Sequence, residues 1–89
     1  MADQIHVTIV SAEGVKLDQM AHYVYIPSES GAVGVLANHL PMLCAVKDGV
    51  LKCHSDQNQV VSFRVKNGIA SVAENEVVLM VASAEEEAG

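Results

Sequence analysis

The sequence predicts an all-β domain, a small sandwich or flattened barrel of about eight to ten short antiparallel strands. Valine supplies 15 of the 89 residues, and β-branched side chains suit a pleated sheet better than a helix. Turn-forming residues recur roughly every 8–12 residues and separate short apolar or alternating runs. A chain of 89 residues has room for one domain. We expect that domain to span residues 1–89, with no long helix.

The first half of the chain reads as five strands. A break at residues 12–14 separates the first two, and Pro27 closes the third. Polar residues 28–31 predict a loop, and residues 37–41 interrupt the last two strands. In order, the predicted strands are residues 4–10, 15–20, 22–26, 33–36 and 42–46.

The second half reads as four more strands joined by turns. Asp48-Gly49 and Asn67-Gly68 each lie between two apolar runs, a pattern typical of tight hairpins. Further turns are predicted at residues 55–58 and 74–76. The predicted strands are residues 50–54, 59–66, 69–73 and 77–82.

The last strand and the tail differ sharply in composition. Residues 77–82 (VVLMVA) are almost continuously apolar, which predicts a central strand covered on both faces. Residues 83–89 carry three consecutive glutamates. Ser83 could cap a first helical turn there, but seven residues cannot form a stable helix alone. We therefore expect a short, frayed acidic tail.

The charge balance excludes several classes of protein. Five Lys and Arg against eleven Asp and Glu give a net charge of −6. Nucleic-acid binding needs clustered cations, and so does attachment to an anionic membrane surface. No apolar run approaches the roughly 18–20 residues of a membrane-spanning helix, and the first residues do not resemble a signal peptide. We expect a cytosolic protein without nucleic-acid partners or membrane insertion.

The cysteines and histidines do not form a recognisable metal site. Cys44 and Cys53 are expected to be free thiols, because a tight hairpin between their strands puts Cys44 roughly opposite Lys52 and turns Cys53 to the other face. His39 and His54 add two imidazoles, but the spacings between these four residues match no common metal-ligand pattern. We expect no disulfide and no structural metal.

Catalytic motifs are also absent from the sequence. No serine lies in a glycine-flanked nucleophile motif, and Gly31 and Gly34 precede a strand where a phosphate cradle needs a helix. We expect no enzyme activity, no cofactor and no small-molecule substrate. Two alternatives are a hydrolase with a minimal site and a small β-sandwich module that binds a peptide or carbohydrate. The latter needs exposed aromatic residues, which only Tyr23 and Tyr25 supply.

The most unusual segment is residues 31–43, GAVGVLANHLPML. One interpretation is a bulge and corner of a small sheet, with His39 as a polar plug. The other is a surface that presents His39 and its apolar neighbours to a partner.

This segment and several others, taken in order, resemble the N-terminal β-sandwich of the epsilon subunits of bacterial F-type ATP synthases. Asn38 replaces the glycine usual before the histidine, and Ala32 replaces an often acidic residue. The family's C-terminal helical hairpin would begin at residues 84–89, where this sequence stops. The resemblance covers essentially the whole chain, and its matching residues are Ile9, Val10, Ser11, Ala12, Glu13, Gly31, Gly34, Val35, His39, Pro41, Met42, Leu43, Gly49, Val50, Leu51, Gly68, residues 78–82, Ala84 and Glu85.

The resemblance implies a non-catalytic central-stalk subunit of the rotor. Such a subunit docks on the gamma subunit and the c-ring, and couples proton or sodium flow to ATP synthesis. It would lie peripherally at the cytoplasmic face of the bacterial inner membrane. Without the hairpin we expect neither ATP binding nor inhibition of hydrolysis. By the same resemblance, the gamma-facing residues are Ser11, His39 and Cys44, and the ring-facing loop is Ser28, Glu29, Ser30, Gly31 and Ala32.

Overall fold

The computed structural model describes residues 4–55 and 59–87, and every helix or strand element in them is a strand. This confirms the all-β prediction. The predicted turn at residues 55–58 falls mostly outside the described residues. The eight strands in the described part of the chain are β1 (Ile5–Ser11), β2 (Gly14–Ala21), β3 (Tyr23–Ser28), β4 (Gly31–Leu36), β5 (Met42–Val46), β6 (Gly49–His54), β7 (Val60–Ala73) and β8 (Glu76–Glu87).

The strands form one sheet in the order β2-β1-β8-β7-β5-β3-β4, with β6 pairing both β3 and β7. This sheet folds over into two layers. β2, β1 and β5 belong to the first layer, β4, β3 and β6 to the second, and the β7–β8 hairpin contributes to both. Gln19 Nε2 of β2 donates to Cys53 Sγ of β6 over 3.6 Å, which joins the two layers through the interior. All described pairs are antiparallel except β1 with β8, which is parallel.

The longest hairpin, β7–β8, turns at Glu74 and Asn75, as the sequence predicts. Both residues have left-handed backbones, with φ of 53° and 63°. Successive left-handed residues give a tight turn whose twist matches that of the flanking strands. The ladder then runs without a change of register from the Ala73–Glu76 pair to the Ser62–Glu87 pair.

The hairpins predicted at Asp48-Gly49 and Asn67-Gly68 are both wrong. β5 and β6 follow each other along the same partner strand, because Val46 pairs with Gly68 and Gly49 pairs with Val65. Asn67, with φ of 38°, lies within β7, so the chain bends there without reversing. Asp48 Oδ1 accepts a hydrogen bond from the Asn67 N–H at 3.1 Å. The two segments that were predicted to be hairpin turns therefore lie side by side in the sheet and form one corner of the sandwich.

Because the chain does not form a hairpin at this corner, the predicted register of the two cysteines is also wrong. Cys44 pairs with Ala70 of β7 rather than lying opposite Lys52, and Cys53 pairs with Val61 and Val24. Both thiols are free in the structure.

The sequence predicts a frayed tail at residues 83–89, and the described part of this segment, residues 83–87, belongs to strand β8. Residues 83–87 extend β8 along the first half of β7. Ala84 is buried opposite Val65, and Glu87 accepts a hydrogen bond from Arg64 Nε at 2.6 Å. A buried apolar residue and ladder hydrogen bonds thus hold a segment whose composition alone suggests exposure.

The core lies between the layers and receives alternate side chains from the strands. Along β7 the buried positions change from Phe63 and Val65 to Ala70 and Val72, so the alternation shifts phase at the corner. The largest fully buried side chains are Ile5, Ile9, Ile26, Leu51, Leu79, Val7, Val24, Val35, Val46, Val65, Val77 and Cys53.

Candidate partner interface

The outer face of the first layer carries a row of apolar side chains. Residues paired across a ladder point to the same side of a sheet, so the register aligns one residue from each of five strands. Val15, Ile69 and Met80 in this row are 63%, 51% and 55% exposed. We call the row the apolar stripe; it consists of Ala45, Ile69, Met80, Val10 and Val15.

The next row of the same face is mixed in character. It begins with Leu43 on β5, which is 74% exposed, and continues through Ser71 and Val78. It ends with Thr8 on β1 and Asp18 on β2. The face is therefore apolar towards β5 and polar towards the start of β1.

The stripe is the candidate partner interface, because large contiguous apolar patches on a protein surface are typical of interaction sites. The β8 sequence explains its origin. The run at residues 77–82 predicts a central strand covered on both sides, and β8 does lie between β1 and β7. Only its inner side, with Val77, Leu79 and Val81, is buried within this chain. On the outer side of the same strand, Met80 remains exposed.

Ser11, His39 and Cys44, assigned to the gamma-facing side by resemblance, lie at separate places. Ser11 ends β1, and its Oγ accepts the Glu13 N–H at 3.1 Å. His39 lies in the β4–β5 loop and its Nδ1 is 2.7 Å from the Leu40 carbonyl oxygen. Cys44 lies on β5 and shares the core-facing side with its buried partner Ala70.

The stripe was missed by sequence reasoning, although a signal was present. Its residues are apolar at positions that alternation assigns to solvent, such as Val10 beside Ile9, and Ile69 beside Ala70. Apolar residues that are not buried flank all three expected gamma-facing positions, including Leu40, which follows His39 and is 79% exposed. Leu43 and Ala45 flank Cys44, and Val10 precedes Ser11.

The expected ring-facing loop is the tip of the β3–β4 hairpin. Glu29 and Ser30 form its exposed turn, and Gly31 has a φ of 111° that favours glycine. Ser28 differs from the exposed loop that we expected, since it is buried and its Oγ donates to the Gly31 carbonyl at 2.5 Å. A shallow groove beside this tip is lined by Tyr25, Ile26, Pro27, Ser28, Gly31, Ala32, Lys47 and Val50.

The thiol of Cys53 is buried in the core. Burial raises the pKa of Cys53 to about 11, which keeps it a thiol at neutral pH. Within the described ranges, no three His, Cys, Asp or Glu residues come together as metal ligands. None of the described segments forms a helix long and apolar enough to span a membrane.

The tyrosines proposed for ligand binding belong to an aromatic cluster on the second layer. The Tyr23 ring stacks on His54 with a centroid separation of 4.2 Å and an interplanar angle of 13°. Tyr25 meets both rings edge-on. One face of the Tyr23 ring is therefore already occupied, which leaves less aromatic surface for a sugar or peptide.

The family model and the related proteins that match this chain all point to the same family. The family model described as "ATP synthase, Delta/Epsilon chain, beta-sandwich domain" matches residues 4–87. The ATP synthase epsilon chain of Thermosynechococcus vestitus is 34% identical over 79 residues, covering 89% of this chain and 56% of its own length. ATP synthase epsilon chain 1 of Methylococcus capsulatus is 39% identical over 72 residues, covering 81% of this chain and 51% of its own length. The chain thus spans between half and two thirds of these relatives.

Solved structures show the same fold. A chain of the Euglena gracilis mitochondrial ATP synthase, in a structure of OSCP, F1 and c-ring, superposes with a TM-score of 0.88 at 21% identity, over 93% of this chain and 53% of its own length. A chain of the Tetrahymena thermophila mitochondrial ATP synthase, in a structure of central stalk and c-ring, has a TM-score of 0.76 at 15% identity, over 93% of this chain and 66% of its own length.

Proposed function

The chain belongs to the ATP synthase delta/epsilon chain family, and on that premise we propose that it is a non-catalytic rotor subunit of an F-type ATP synthase. It docks on the gamma subunit and rests on the c-ring, and so helps to couple proton or sodium flow to ATP synthesis. It would act at the cytoplasmic face of the bacterial inner membrane, as a peripheral component. The membership rests on the family match; the apolar stripe is the structural observation that carries the docking role.

We propose that the gamma subunit covers the stripe. Ile69 and Met80 lie directly opposite each other on adjacent central strands and are each about half exposed. Burying such side chains against a partner contributes a favourable free energy of about 25 cal/mol for each Å² of apolar surface removed from water. Polar residues at the margins of the stripe would then set orientation more than affinity, as rim residues of interfaces do.

The c-ring contact is proposed for the tip of the β3–β4 hairpin. Glu29 and Ser30 project there as an exposed turn, while buried Ser28 fixes the base of the hairpin. The tip belongs to the second layer and the stripe to the first, so one rigid sandwich can hold two partners at once. A close-packed interior deforms little, which suits a part that transmits torque.

Binding of the isolated gamma subunit tests the docking surface directly. We expect the chain to bind gamma in calorimetry, and Met80→Glu to abolish binding because it places a charge in an apolar contact. Val60→Glu is the matched control, since Val60 is also half exposed but lies at the start of β7 in the second layer. Equal binding by both variants, or no binding by the unaltered chain, would refute the proposal.

A photo-crosslinker at Ser30 tests the ring contact in an assembled complex. We expect crosslinks to a c-subunit from Ser30 and none from Val15, which lies in the apolar stripe. Crosslinks from Val15 to the ring would show that the two faces are exchanged.

A further inference from the structure

His6, at the start of β1, is held between two carboxylates on different strands. Its Nε2 lies 2.5 Å from Asp18 Oδ1 of β2. Its Nδ1 lies 3.1 Å and 3.3 Å from the two carboxylate oxygens of Glu76 on β8. The imidazole therefore joins β1 to both of its neighbours, at the polar end of the face that carries the apolar stripe.

Both contacts can be hydrogen bonds only if the imidazole is doubly protonated. An ionised carboxylate accepts hydrogen bonds but does not donate them, and neutral imidazole has a single N–H. The hydrogen bond to Asp18, followed by the interactions with Glu76, raises the pKa of His6 above 6.5, although partial burial opposes this. The geometry and the charge of the partners thus favour the same form of the ring.

The groups that face His6 from the packed strands are acidic or neutral. β2 contributes Asp18 and the thioether of Met20, and β8 contributes Glu76. Thr8 follows on the same face of β1. Among the described residues, Asp18 and Glu76 are the charged groups that influence the protonation of His6. Loss of the proton therefore leaves two neighbouring carboxylates without the cation that joins them.

We propose that His6 is a pH-dependent clamp that ties β1 to β2 and β8 while protonated, and that its release weakens docking through the apolar stripe. This regulatory role rests on the proposed function, whereas the clamp itself does not. With His6 protonated, the three side chains carry a net charge of −1. With His6 neutral they carry −2, and two ionised carboxylates at the edge of an apolar contact cost more to desolvate than carboxylates that are paired with a cation.

The direction of the pH effect follows from the raised pKa. The folded state binds the His6 proton more tightly than the unfolded state does, so the clamp's contribution to stability is fully present below the unfolded pKa of about 6.5. It is lost as the pH rises through the folded pKa. The stability that the His6 contacts contribute is therefore lost above about pH 6.5, near the neutral pH at which histidine is the usual switch.

Titration by nuclear magnetic resonance tests the clamp. Asp18→Asn combined with Glu76→Gln is the matched control, since it keeps His6 and removes both charges, and His6→Gln assigns the signal. We expect the His6 midpoint to be higher in the unaltered chain than in the double variant. We also expect the unaltered chain to lose more stability between about pH 6 and about pH 8. Identical midpoints would overturn the clamp.

Binding of the gamma subunit at the same two pH values tests the regulation. We expect several-fold weaker binding at the higher pH for the unaltered chain, and no such change for His6→Gln. A raised midpoint with equal affinity at both pH values would overturn the regulatory role and leave the clamp. Absence of binding at both pH values would refute the proposed function, and the titration would still decide the clamp.

Discussion

The Asn38 N–H donates a hydrogen bond to Asn75 Oδ1 over 2.7 Å, which fastens the β4–β5 loop to the β7–β8 turn. Both asparagines are left-handed, with φ of 66° and 63°. After glycine, asparagine tolerates this conformation best, so asparagine suits both left-handed positions. The Asn75 carbonyl also accepts the His6 N–H at 2.9 Å. Asn75 therefore joins the loop that carries His39 to the strand that carries the clamp.

Two substitutions at Asn75 separate its hydrogen bond from its backbone conformation. Asn75→Gly keeps the left-handed turn and loses the side-chain acceptor, which we expect to cost about 1 kcal/mol. Asn75→Ala also strains the backbone, for a further loss of about 1 kcal/mol. Urea unfolding measures both. Equal stability of the two variants would contradict the role of the left-handed backbone.

Gly68 is expected to be irreplaceable at the corner of the sandwich. A Cβ there would overlap the Met80 carbonyl oxygen and lie 2.7 Å from Val81 Cα, and neither is free to move. We expect Gly68→Ala to destabilise the fold by about 3 kcal/mol. At Gly34 the nearest atom is 3.1 Å away in the Tyr25 ring, which can shift. Gly34→Ala is thus the control, and thermal unfolding that ranks it as the more damaging change would refute the argument.

The extension of β8 to Glu87 can be tested within the acidic tail. Ala84 is 1% exposed, whereas Ala82 in the same strand is exposed. Ala84→Asp would bury an unpaired carboxylate and is expected to cost about 3 kcal/mol or more. Ala82→Asp makes the same chemical change at the surface, where we expect less than about 0.5 kcal/mol. If the tail were frayed, both variants would unfold at the same denaturant concentration.

The two thiols should differ in reactivity. Cys53 is fully buried with a pKa of about 11, so only about one molecule in a thousand is a thiolate at pH 8. Cys44 is half-buried, and its pKa is also raised by burial. We expect a thiol reagent to modify Cys44 in the native protein and Cys53 only after unfolding. In Cys44→Ser the native reaction should disappear; two thiols reacting at one rate would contradict the structure.

The interface shows where sequence reasoning reached its limit. The apolar run of β8 correctly predicts a central strand, and it also indicates that both faces are covered. The sequence does not show that the outer face of β8 stays exposed in this chain. Alternation indicates which faces of a strand are apolar, and not what packs against them. Only the register, which aligns Met80 with Ile69 and Val10, shows that outward residues from separate strands form one surface.

The all-β class, the approximate strands and the turn at Glu74 and Asn75 could be predicted from the sequence, because they depend on side-chain period and on residues that tolerate a left-handed backbone. The tertiary structure decided the pairing. Asp48-Gly49 and Asn67-Gly68 have the chemistry of hairpins, yet they form one corner, since local turn chemistry permits a conformation without specifying which strands then meet. The parallel β1–β8 pair and the burial of Ala84 likewise depend on contacts between residues distant in sequence. A local sequence pattern does not predict such contacts.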